Sequence, residues 1–85
     1  MVRLKDEIVT IEIDDGWIVI DQATGRYLES NRVGNEMITV LTKAESDDEA
    51  IRDLLDLLDV DELTLRSDFS EFQKSLVELE LADEA

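Results

Sequence analysis

Polar and apolar residues alternate early in the chain, and the period lengthens after Asn31. In Ile8-Val9-Thr10-Ile11-Glu12-Ile13 the residues Val9, Ile11 and Ile13 share one face, and Thr10 and Glu12 the other. That alternation predicts a strand whose Val9/Ile11/Ile13 face is buried. Asp14-Asp15-Gly16 has turn chemistry. Trp17 to Asp21 is apolar on both faces, which predicts a central strand lying in the core. Asp21 to Gly25 is a longer hairpin connection with Gly25 at its left-handed position. Arg26 to Ser30 returns as a third strand, at one edge of an antiparallel meander.

Beyond Ser30 the apolar spacing becomes helical. Asn31 is a good N-cap for a helix carrying Val33, Met37, Val40, Leu41 and Ala44 on one face. Gly34 in its first turn costs up to about 1 kcal/mol relative to Ala, so close approach of another backbone is the expected reason for it. Ser46-Asp47-Asp48-Glu49 is a capping box with acids at the positive helix end. It opens a second helix with Ala50, Ile51, Leu54, Leu55 and Leu58 on one face. After the connector Asp59–Glu62, a third helix is predicted from about Leu63 to Leu81, its stripe formed by Leu65, Phe69, Phe72, Leu76 and Leu79. Strands followed by helices define an α+β chain with the helices stacked on one face of the sheet.

Length and composition narrow the function. Eighty-five residues, 44% of them hydrophobic, are expected to form one domain over 1–85, with 1–6 and 82–85 frayed. Without cysteine or histidine the chain has no disulfide, thiol nucleophile, imidazole base or Cys/His zinc site. No apolar run reaches the roughly 20 residues of a membrane span, and Met1–Glu7 lacks the apolar stretch of a signal peptide. A cytoplasmic location is the expectation. Eight Lys and Arg against 23 Asp and Glu leave a net charge of −15. Such a surface repels phosphate backbones and anionic lipid, so nucleic acid and membranes are poor partners and a neutral or basic peptide is a better one.

Candidate chemistry reduces to carboxylates. They cluster at Asp14/Asp15, Asp47/Asp48 and Asp56/Asp59/Asp61/Glu62, where a turn, a helix cap and a solvated face explain them. A calcium loop starting at Asp56 would need Gly at its sixth position and Glu at its twelfth, where the chain has Asp61 and Ser67. No catalytic residue, metal site or cofactor is expected. Trp17 and Tyr27 are the sole Trp and Tyr; Trp17 reads as core or sheet-face packing, and Tyr27 as core or groove lining. The edge strand is the remaining candidate. Its unpaired N–H and C=O groups can accept a peptide as one more strand, with pockets from a neighbouring helix giving specificity.

These residues resemble the PqqD-like family of recognition elements for ribosomally made, modified peptides. The resemblance rests on Gly25-Arg26-Tyr27-Leu28-Glu29-Ser30-Asn31, then Gly34 with Met37-Ile38, then Ser46-Asp47-Asp48-Glu49-Ala50-Ile51. Asp68-Phe69, Phe72, Leu76 and Leu81 complete it. Two positions depart from the family pattern: Ser30, where an aliphatic residue is usual, and Glu80, where Gly is frequent. The resemblance implies a winged-helix-like fold and a non-catalytic module that adds a precursor's leader segment to the third predicted strand, beside the third helix. The form it most resembles is the stand-alone leader-recognition subunit of lasso-peptide clusters. The implied partners are the precursor leader, a separate leader peptidase and a cyclase, with the module itself a monomer. On this chain the implied peptide-binding residues are Arg26, Tyr27, Leu28, Glu29, Ser30, Leu65, Asp68, Phe69, Phe72, Gln73 and Leu76.

Alternatives stay open at this point: a PQQ-type peptide chaperone of the same family, an acidic adaptor, or a winged-helix regulator. The regulator would need a basic third helix. That segment instead carries Asp68, Glu71, Glu78 and Glu80 against Arg66 and Lys74.

Overall fold

The computed structural model describes residues 1–84. Its strands and helices are β1 (Arg3–Leu4), β2 (Ile8–Ile13), β3 (Gly16–Asp21), β4 (Tyr27–Ser30), α1 (Arg32–Lys43), α2 (Asp47–Leu57), α3 (Glu62–Glu78) and β5 (Ala82–Asp83). The predicted meander is present as an antiparallel sheet in the order β2-β3-β4, with β4 at an edge. Its register pairs Ile11 with Ile18, Thr10 with Val19, and Val19 with Leu28. Gly25 takes φ +79° in the β3–β4 connection, as its turn position requires.

Each helix start follows from its cap. Asn31 Oδ1 accepts from the Gly34 N–H (2.9 Å), Ser46 Oγ from the Glu49 N–H (3.2 Å) and Asp61 Oδ2 from the Thr64 N–H (3.0 Å). The reciprocal arm of the α2 capping box is displaced by one residue, for Glu49 Oε2 accepts from the N–H of Glu45. The three helices lie on one face of the sheet, with α1 packed directly against β3 and β4 and α2 between α1 and α3. Val19, Met37, Leu54, Leu65, Phe69 and Leu76 are among the buried side chains of the one core this creates.

Three expectations need correction. The first concerns the sheet face. Residues opposite each other in register share a face, so Ile8, Thr10, Val19 and Leu28 lie on one side and Val9, Ile11, Ile18, Ile20 and Tyr27 on the other. Val19 is fully buried, and Ile8 and Leu28 pack against the core. The Val9/Ile11/Ile13 face therefore points away from the helices, leaving Ile11 48% and Ile13 41% exposed. The alternation was right in period but assigned to the wrong side. Trp17–Asp21 is central in the sheet but has helices on one side alone, and Trp17 stands partly exposed outside the core cluster.

The second correction is at the chain ends. The frayed ends expected at 1–6 and 82–85 instead pair antiparallel, Arg3 with Asp83 and Leu4 with Ala82. Leu81 and Ala82 are buried, the Lys5 N–H donates to the Leu81 carbonyl (3.1 Å), and the Lys5 ammonium bonds Asp83 (2.7 Å). Apolar burial and a two-strand clasp hold what sequence position alone would release. Ala85 lies outside the described residues.

The third is the end of α3. The helix stops at Glu78 rather than running to Leu81. Glu80 enters the left-handed region at φ +59°, its N–H donates to Val77 O, and the Leu81 N–H reaches back to Leu76 O (2.8 Å). These two bonds make a Schellman close. It turns Leu81 into the core and leaves Leu79 38% exposed.

Candidate peptide-binding edge and groove

The free side of β4 can be assigned from its hydrogen bonds. The Asp21 N–H donates to Arg26 O (2.9 Å), which makes Asp21 and Arg26 a bonded pair. Alternation along an antiparallel ladder then makes Val19·Leu28 and Trp17·Ser30 the next bonded pairs. A Cβ placed on Gly16 would lie 2.6 Å from Ser30 O, which agrees with the Ser30 carbonyl aiming into the sheet. The backbone N–H and C=O groups of Tyr27 and Glu29 therefore face the open edge. Those of Leu28 and Ser30 are spent on β3.

Beside that edge runs a groove of about 530 Å³. One wall is Glu29, Ser30 and Asn31; Val33, Gly34 and Met37 from the start of α1 form the floor; Asp68, Glu71, Phe72 and Ser75 of α3 form the far wall. Gly34 explains why the groove is open. A Cβ there would collide with Ser30 Oγ, sit 3.0 Å from Ser30 Cβ and 3.3 Å from Phe72 Cε1. The close approach inferred for Gly34 is thus by two side chains rather than by a backbone. Both belong to the groove.

The residues singled out from the sequence separate into groups. Ser30, Asp68 and Phe72 line the groove, as does Glu29. Leu28 faces the core, and Leu65, Phe69 and Leu76 are buried within it. Gln73 is buried too, but its carboxamide is committed elsewhere: Oε1 accepts from the Val2 N–H (2.8 Å) and Nε2 donates to Asp47 (3.4 Å). The side chain of Tyr27 is 57% exposed and sits on the outer sheet face in register with Ile20. Arg26 pairs with Glu80 (2.9 Å) at the end of α3, away from the groove floor. Three of the five stripe residues on α3, Leu65, Phe69 and Leu76, are core because a helix packed on α2 must bury one side. Val33, Met37, Glu71 and Ser75 were not expected in the site; Gly34, already anomalous in a helix, was the sequence signal that pointed to them.

Other hollows are less suited to an extended peptide. One of about 570 Å³ lies between the N-terminal segment and the end of α1, and one of about 630 Å³ between Arg26, Lys5, Glu80 and Asp83. Neither runs along a free strand edge. Among the described residues no group of acids is placed to hold a metal ion, and no helix is long and apolar enough to cross a membrane.

Fold and site together define an α+β recognition-type domain: a three-stranded wing whose edge strand borders a groove walled by the last helix. The chain belongs to the PqqD family, since residues 16–82 match the family described as Coenzyme PQQ synthesis protein D (PqqD). Two solved structures share its fold. One, TbiB1 in complex with the TbiA(beta) leader peptide, is 25% identical with a TM-score of 0.74, over 94% of this chain and 93% of that one. The other, lasso peptide synthetase B1 complexed with the leader peptide, is 23% identical with the same TM-score, over 95% of each chain. No curated protein sequence matches the chain.

Proposed function

We propose that this protein is a non-catalytic recognition module for the leader segment of a ribosomally synthesised precursor peptide. The leader adds antiparallel to β4, bonding the free backbone groups of Tyr27 and Glu29, while its inward side chains enter the groove over Val33, Met37 and Phe72. The bound precursor is then presented to a separate leader peptidase, with a cyclase acting afterwards, in lasso-peptide biosynthesis in the cytoplasm. The module acts as a monomer and needs no cofactor. The observation that carries the reading is the conjunction of a free strand edge with an apolar-floored groove, in a fold shared with two proteins solved with leader peptides. The family match also supports a second reading, peptide chaperoning in quinone-cofactor synthesis, with the same edge in use.

Fluorescence polarisation with a labelled leader from the neighbouring precursor gene tests the proposal. Glu29→Pro removes a donor on the open side and leaves the β3–β4 ladder intact, so binding is expected to fall at least tenfold in a folded protein. Unchanged binding by folded Glu29→Pro and Tyr27→Pro would defeat the strand-addition mode. Absence of binding by the wild type would defeat the function.

A further inference from the structure

The groove beside β4 combines two chemistries. Its floor and lower wall are apolar, formed by Val33, Met37 and Phe72, while Asp68 and Glu71 stand exposed on α3 along its far rim. The two acids are three residues apart, so they are neighbours on one side of the helix. Because α3 begins at Glu62, both lie beyond its first turn, and neither a cap nor the helix dipole accounts for them. Among the described residues neither carboxylate is held in an ion pair, and no Lys or Arg lines the groove. Register identifies the leader residue that would meet them. Opposed residues share a sheet face, so an added strand turns inward the side chains opposite Leu28 and Ser30. Ser30 lines the groove and Leu28 does not, which places the residue opposite Ser30 over it. Ser30 spends its backbone groups on β3, so its pairing on the free side is of the close kind, with Cα atoms about 4.5 Å apart. Its small side chain fills the space that Gly34 leaves without a Cβ. A long side chain on the facing residue therefore has room to cross toward α3.

We propose that the groove selects a leader carrying Lys or Arg at the position opposite Ser30. The inference rests on the leader-binding reading above and adds to it the identity of one recognised side chain. The methylene stem lies along Val33, Met37 and Phe72, and the charged head reaches Asp68 and Glu71 at the rim. Lys and Arg are the side chains built in this way, apolar along their length and cationic at the tip. An Arg head gains a further contact by lying over the Phe72 ring. Competing side chains satisfy half of the site at most. An aliphatic residue covers the floor and leaves both carboxylates in water. An Asp or Glu is brought beside two like charges with no cation in the lining to offset them. The free backbone groups of Tyr27 and Glu29 accept any non-proline strand, so discrimination between leaders falls to this inward position.

The test uses the full chain and the labelled leader encoded by the neighbouring precursor gene, titrated by fluorescence polarisation. Each Lys and Arg of the leader is replaced in turn by Met, which keeps the stem and removes the head. Asp68→Asn/Glu71→Gln alters two exposed side chains, and its folding is checked by circular dichroism. This variant should lose about fivefold or more in affinity for the natural leader at roughly 0.05 M NaCl, and less at roughly 0.5 M. One Met leader should show the same loss on wild type and no further loss on the variant, since head and carboxylates act as one pair. Charge reversal supplies an independent arm: Asp68→Lys/Glu71→Lys should prefer a leader with Glu at that position over the natural one. Three results would overturn the inference and leave leader recognition standing. They are a bound leader segment without Lys or Arg, full affinity in folded Asp68→Asn/Glu71→Gln, and equal losses for the natural leader and every Met leader on that variant. The last would mean diffuse attraction in place of a side-chain site. A wild type that binds no leader would remove the reading beneath it instead.

Discussion

At the scale of single residues, two positions show how the groove is kept open and how its far wall ends. Gly34 occupies a helix turn where Ala would be favoured by up to about 1 kcal/mol, yet a methyl group there meets Ser30 and Phe72. Gly34→Ala should therefore destabilise the protein by about 1–3 kcal/mol as the groove walls are forced apart, read as a lower urea midpoint, and should weaken leader binding. An unchanged midpoint would show that Ser30 and Phe72 yield freely. Glu80 presents the opposite case: a non-glycine residue at φ +59° closing α3. A left-handed non-glycine costs roughly 1–2 kcal/mol, whereas the exposed Arg26–Glu80 pair contributes at most about 1 kcal/mol. Glu80→Gly should raise the urea midpoint, and Glu80→Gln, which keeps the strain and loses the charge, should lower it or leave it unchanged. A midpoint lowered by Glu80→Gly would mean that the ion pair outweighs the backbone strain.

At the scale of elements, the sequence carried period well and facing poorly. Strand and helix order, the Asn31 and Ser46 caps and the Gly25 turn follow from local chemistry, and all are present. The side of the sheet that meets the helices does not follow. Val9, Ile11 and Ile13 are more apolar than Thr10 and Glu12, but Val19 on the next strand fixes the inner face through cross-strand register, a relation that alternation within one strand cannot express. The groove was half legible for the same reason. The 3.6-residue stripe on α3 marks Leu65, Phe69, Phe72 and Leu76 alike, and the fold alone decides that Phe72 reaches the groove while the other three enter the core. The clasp between β1 and β5 was not legible at all, because it joins residues nearly the whole chain apart. It is testable through its charge. The hydrogen bond to Asp83 raises the Lys5 pKa above its ordinary value of 10.5, against a smaller opposing effect of desolvation. A raised lysine pKa contributes stability that is complete below the unfolded value and is lost as pH rises through the folded one. The clasp should thus hold up to about pH 10.5 and loosen above it. Hydrogen exchange at the Lys5 amide, extrapolated for intrinsic rate, should show that loss of protection in wild type and not in Asp83→Asn, which should be less protected throughout. Equal protection in the two proteins at neutral pH would assign the clasp to backbone pairing and to burial of Leu81 and Ala82.

At the scale of the whole molecule, the charge of −15 acts on folding and on recognition with opposite signs in salt. The molecule extends 34 × 32 × 19 Å, and at 0.01 M ionic strength the Debye length is about 30 Å, so nearly every carboxylate feels the others. At 0.15 M it falls to about 8 Å, and repulsion survives between near neighbours alone. Among the described residues three of the eight Lys and Arg side chains are held in local pairs, Lys5 with Asp83, Arg26 with Glu80, and Arg66 with Glu62 and Asp48. Raising NaCl from 0.01 to 0.15 M should therefore raise the melting temperature by several degrees, since self-repulsion of the compact state is the term being screened. The same change should weaken capture of a cationic leader, because Asp68 and Glu71 on the groove wall attract it across solvent. Calorimetry and polarisation titrations in the same salt series separate the two effects. A melting temperature that does not rise would show that the acids are too far apart in the fold to destabilise it. A leader affinity that does not fall while stability rises would place recognition in the β4 backbone and the apolar floor, with the acidic surface contributing nothing to the choice of peptide.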